Sequence, residues 1–118
     1  DLDRNLLNQH MQPGWDNSET ARAALREPLL SLAAHYFLKA RDRKDRTPDP
    51  VARFHLGNGA IVERINWIAD TSNNGLKQSY AMMVNYRYKL SDVDANHEAY
   101  RATGRRVLSS TVKSLLGD

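Results

Sequence analysis

Apolar residues three and four apart run through Leu29, Leu32, Ala33, Tyr36 and Phe37. That spacing predicts a buried helix over residues 29–39. Ahead of it, Ser18 and Glu19 open a helical pattern through Ala21, Ala24 and Leu25, which Pro28 should end or kink before serving as the first-turn proline of the next helix. The chain begins with apolar Leu2, Leu6 and Leu7 and turns at Gln12-Pro13-Gly14; residues 40–48 are polar and read as a loop. Asp49-Pro50 then supplies an oxygen acceptor at an N-cap and a proline at N1, so a short helix is expected over 51–56, with Gly57 making the left-handed turn at its end.

Beyond the Gly57-Asn58-Gly59 turn the period changes. Residues 61–68 read as a strand, with Ile61, Ile65 and Trp67 on one face and Val62 and Ile68 partly covering the other. Residues 71–75 are dense in turn formers. A second strand is expected over 82–90, with Met82, Val84, Tyr86 and Tyr88 on one face and Met83, Asn85 and Arg87 on the other. The two should pair as an antiparallel hairpin. Two helices close the chain: one capped by Ser91 with Asp94 three residues on and interrupted at Gly104, the other over 107–116.

This pattern describes an α/β (α+β) chain whose sheet is incomplete. A two-stranded hairpin is marginal in water, and both faces of this one carry large apolar residues. Nothing in residues 1–50 looks like a strand, so the sheet is expected to be completed by another polypeptide segment of a larger protein. On this reading residues 1–48 are a helical insertion, 49–90 a helix-turn-strand-strand core, and 91–118 C-terminal helices.

Composition narrows the chemistry. The chain has 118 residues, enough for one domain, and its 41% hydrophobic and 26% charged content is ordinary for a globular protein. Without cysteine there is no disulfide framework, thiolate nucleophile or cysteine zinc site. No apolar run approaches the ~18 residues that span a bilayer. The first residues lack a signal-peptide pattern and the last match no address, so a cytoplasmic protein with no membrane partner is expected. The formal charge of +3 is concentrated in residues 39–46, where five bases face two acids. That run is a solvated connection, a seat for an anionic small molecule, or a nucleic-acid contact; the interleaved Asp42 and Asp45 and the absence of aromatics argue against nucleic acid.

Among the histidines, His55 stands out. It precedes the glycine turn at the end of the short helix, where the helix dipole favours a cation and a proton donor could stand. His10, His35 and His97 are scattered without metal-ligand spacing, and no metal site is expected. Asn58 and Gly59 are explained by the turn. Arg64, Asn66 and Asp70 are candidates for a buried polar network, and Trp67, Met82 and Met83 for core.

The order helix, Gly-Asn-Gly-Ala turn, strand, strand resembles the C-terminal half of the GNAT acetyltransferase fold. The words PVARFHLGNGA, RINWIAD and GLKQSYAMMVNYRY, with LREPLLSLAAHYFL before them and NHEAY after, more specifically resemble the malonyl-CoA decarboxylase family, from Pro13 nearly to the end. The resemblance implies a GNAT-like fold and the conversion of malonyl-CoA to acetyl-CoA and CO2 without a cofactor. It implies that His55 is the catalytic histidine, donating a proton to the enolate, and that Tyr88 lies beside the active site. Asn85, on the other strand face, is a substrate-binding candidate whose alternative is support of a turn or backbone group. The family's catalytic serine, in a Ser-Pro-x-Pro-Gly-Phe word, and its glycine-rich CoA loop are absent here. The implied partners are malonyl-CoA and acetyl-CoA, the remaining segment of the same enzyme, and further copies in a homo-oligomer. An acyl-CoA N-acyltransferase on the same fold and a non-catalytic basic module binding nucleic acid or protein through residues 39–46 are the alternatives.

Overall fold

The computed structural model describes residues 4–117, and the expectation for Leu2 lies outside them. Helix α1 spans Arg4–His10 and leads through a 3-10 turn at Trp15–Asn17 into α2, Glu19–Lys39. Then come α3 (Pro50–Gly57), β1 (Ile61–Asn66), α4 (Asn73–Ser79), β2 (Met83–Arg87), α5 (Val93–Thr103) and α6 (Ser110–Ser114). Among the described residues the sheet is the antiparallel pair β1-β2, so the chain is α+β as expected.

Pro28 lies inside α2 rather than between two helices. A proline in a helix interior costs about 3 kcal/mol. Leu25, Leu29 and Leu30, on both sides of it, are almost fully buried, and each such burial is worth about 1.5–3 kcal/mol. Packing therefore carries one 21-residue helix through the break. The first half of α2 packs on Trp15 and Ala81, with Trp67 at the border; its second half joins Ala52 and Leu56 of α3, Val62 and Ile65 of β1, and Leu108 and Val112.

The strands are shorter than their apolar patterns. A bulge between Val62 and Arg64 shifts the register, pairing Val62 with Tyr86 and Ile65 with Val84. One extra residue moves every later side chain to the other face. Val62 and Ile65 thereby share the core face, where strict alternation would have opposed them, while Met83 is 51% exposed rather than core. Of residues 71–75, Thr71 and Ser72 lie outside a helix but residues 73–75 start α4, which Ser72 caps by accepting from the Gly75 N–H while Asp70 accepts from the Ser72 N–H and hydroxyl. Arg64 is exposed and Asn66 bonds Asn85, so Arg64, Asn66 and Asp70 form no common network.

At the C-terminal end, α5 begins after Asp92 rather than under a Ser91 cap, and Gly104 ends it in the left-handed region. Val107 and Leu108 are extended, because the Val62 N–H donates to Val107 O and the Ser109 N–H to Val62 O along the outer edge of β1. Only Ser110–Ser114 of the expected last helix is helical, capped by Ser109. Arg106 is buried and donates to the carbonyls of Tyr36, Phe37 and Ala40. It thus satisfies carbonyls left open at the end of α2, where the helix dipole favours a cation.

Candidate active site around His55

Asp49 starts the local structure as expected. Its Oδ1 accepts from the Val51 and Ala52 N–H groups at 2.8 and 3.1 Å, with Pro50 in the first turn. The end of α3 differs: Gly57 remains helical, Asn58 caps with φ −94°, and Gly59 takes the left-handed conformation at φ 92°. Glycine is required at residue 59 twice over, because a Cβ there would also lie 2.4 Å from Val93 O. From α5, Asn96 donates to Gly59 O at 3.2 Å and His97 Nδ1–H to Gly57 O at 2.6 Å. The turn that positions the last residues of α3 is therefore clamped by a helix distant in sequence.

His55 stands in this final turn, half-buried. Its ring stacks on Tyr86 of β2, centroids 4.4 Å apart and planes 20° apart, and Phe54 meets it edge-on at 5.3 Å. Its Nδ1 shares a hydrogen bond of 2.7 Å with the Tyr88 hydroxyl, just beyond β2. With Nδ1 engaged, Nε2 is the ring position left to exchange a proton, and it has no partner among the described residues. Burial raises the Tyr86 phenol above the usual tyrosine range, with the Asp49 carboxylate and Tyr36 acting in the same direction. Tyr86 therefore offers a neutral aromatic face to the imidazole over the whole working pH range.

The structure brings His55 and Tyr88 together and leaves Asn85 apart. Asn85 faces the other side of the sheet, where its Oδ1 accepts from Asn66 Nδ2 at 3.1 Å. Tyr86 was not among the expected site residues, although its place two residues before Tyr88 on the same strand face was visible in the sequence. His35 donates from Nε2 to Leu116 O at 3.0 Å, so this histidine and His97 both have structural partners. Among the described residues no three histidine or carboxylate side chains gather where they could hold a metal ion.

An α+β segment that sets a half-buried histidine against two tyrosines has the makings of an acid–base site. Comparison with known proteins gives the family of the segment. The profile of the malonyl-CoA decarboxylase C-terminal domain matches residues 1–118, and the chain belongs to that family. Mitochondrial malonyl-CoA decarboxylases of Anser anser anser and Rattus norvegicus are 44% and 41% identical over 102 residues, covering 86% of this chain and 20% of theirs. The crystal structure of malonyl-CoA decarboxylase from Rhodopseudomonas palustris matches with a TM-score of 0.90 at 44% identity, over 97% of this chain and 27% of that one. The structure from Agrobacterium vitis gives 0.91 at 45%, over 98% and 28%. The chain thus spans about a fifth of the curated relatives' length. Their names also correct the cytoplasmic expectation, since they are mitochondrial proteins. An address cannot be judged from the ends of a segment that covers so small a part of its relatives.

Proposed function

We propose that this chain is the C-terminal portion of a malonyl-CoA decarboxylase catalytic domain, in which His55 protonates the enolate that remains when CO2 leaves. The reading rests on one observation beyond the family match: a histidine fixed through Nδ1 by Tyr88 and through its face by Tyr86, with Nε2 open. When the C–C bond to the malonyl carboxylate breaks, its electron pair passes into the thioester as an enolate. The α-carbon then takes the proton from His55 Nε2, giving acetyl-CoA, and water returns the proton to the ring. As Nε2 loses its proton the ring keeps Nδ1–H, which the Tyr88 oxygen accepts. Tyr88 thus holds the ring in the donor orientation, as partners of histidine do in other sites. Asn85 is assigned to the sheet through Asn66 rather than to substrate.

The rest of the enzyme supplies what this segment lacks: further strands along the open edge of β2, the serine, and the CoA phosphate loop. Residues 49–90 form the part of the core that meets substrate, 1–48 a helical insertion and 91–118 the closing helices. The test is product analysis of the complete enzyme with malonyl-CoA, with and without an amine acceptor. Acetyl-CoA and CO2 should form at the same rate in both. Transfer of the malonyl group to the amine, with no CO2 released, would refute the reading in favour of an acyltransferase.

A further inference from the structure

On the other side of α3 from His55 lies a cleft of about 630 Å³ between the 41–47 loop, α3 and the end of α5. Arg53 and Gly57, four residues apart on one flank of the helix, line it. His55, two residues from each, lies on the opposite flank. Among the described residues, five arginines border the cleft, Arg41, Arg46, Arg53, Arg101 and Arg106, against the one carboxylate of Asp45.

Three of these have local explanations. Arg41 pairs with Asp45 at 3.3 Å and Arg46 with Asp42 at 3.0 Å, both at the surface, while Arg106 closes the end of α2. Arg53 and Arg101 have none: neither guanidinium has a hydrogen bond or ion pair among the described residues. The crowding is felt by Arg106, whose ability to hold its proton is reduced by burial first and by Arg41 second. Beneath the arginines the Thr47 and Tyr100 hydroxyls share a 2.7 Å bond. One bond uses one of their two protons, so the other remains to be donated to an acceptor in the cleft.

We propose that this cleft binds a small phosphate-bearing anion, gripped by the free guanidiniums of Arg53 and Arg101 and by the spare hydroxyl proton of the Thr47–Tyr100 pair. Arginine suits phosphate because its planar fork gives two parallel charge-assisted bonds to two oxygens. The basic run of residues 39–46 thereby acquires a role as one wall of the site. Its order comes from Asp42, which accepts from the Lys44 and Arg46 N–H groups and from Arg46 Nε.

The inference goes beyond the decarboxylation reading and is tested by binding rather than turnover. The complete enzyme is titrated calorimetrically with pyrophosphate near 0.15 M salt, and folding of each variant is checked by its thermal melt. The double variant Arg53→Gln/Arg101→Gln should bind about tenfold or more weakly. Arg43→Gln, which removes an exposed charge of the same loop outside the cleft, should stay within about twofold of wild type. Absence of pyrophosphate binding, or equal weakening in both variants, would overturn the proposal. Competition then gives the source of the anion. Displacement of pyrophosphate by CoA makes the substrate's own phosphates the ligand, whereas undiminished binding to CoA-saturated enzyme makes it a separate molecule.

Discussion

Replacing Tyr88 by phenylalanine removes one hydroxyl and keeps the ring. Because Tyr88 is 44% exposed, the fold loses little, and surface changes of this kind stay within about 0.5 kcal/mol. What disappears is the 2.7 Å bond to His55 Nδ1. A hydrogen bond to a neutral partner is worth about 0.5–1.5 kcal/mol net, and one to a charged partner about 1.5–3 kcal/mol. If the imidazole must be both charged and oriented as it delivers its proton, the larger range applies. Turnover of malonyl-CoA by the complete enzyme should then fall roughly 10- to 150-fold. The loss should appear in kcat with KM nearly unchanged, since the contact acts on the proton donor and not on bound CoA. A double-mutant cycle sharpens the assay: in a His55→Ala background, Tyr88→Phe should cost nothing further. An unchanged kcat in the single variant, or an equal loss with and without His55, would refute the role given to Tyr88.

Other parts of the account are open to separate measurement. Gly59→Ala forces a Cβ against Val93 O and strains a left-handed turn; denaturant unfolding of the complete enzyme should show a loss of about 1–3 kcal/mol, and an unchanged midpoint would contradict the clamp between α3 and α5. Pro28→Ala returns an N–H to the middle of α2 and should raise stability by up to about 3 kcal/mol, whereas a fall would mean that the ring itself packs productively. Asp42 is held below the ordinary aspartate value of 3.8, chiefly by the Arg46 N–H. A depressed native value means that its contribution to loop order is full above the unfolded value and is lost as pH falls through the native one. The Lys44 and Arg46 amide NMR signals should therefore move with a midpoint below 3.8, and a midpoint at or above it would count against the Asp42 turn.

How well the sequence foretold each element depended on where its determinants lie. The start of α3 was legible because Asp49 and Pro50 act on their own helix, within three residues. Pro28 misled because the leucines that carry α2 past it act through tertiary contacts. Residues 71–75 have turn composition, yet Asp70 and Ser72 use the same side-chain oxygens to start a helix. The bulge after Val62 leaves no mark on an alternating pattern, so the pairing of Val62 with Tyr86 was out of reach, and Val107 and Leu108 are extended only because β1 offers an edge. At the candidate site, the closeness of His55 and Tyr88 was legible through family words. The stacking of Tyr86 on His55 depends on how α3 lies across β2, which no single stretch encodes.

The central claim is that His55 is the proton donor. Its most direct test is malonyl-CoA turnover by the complete enzyme carrying His55→Ala, with the thermal melt recorded alongside. Loss of a positioned acid should lower kcat by about 10²–10⁴-fold while the melt stays close to wild type. Turnover within a few-fold of wild type in a folded variant would contradict the account.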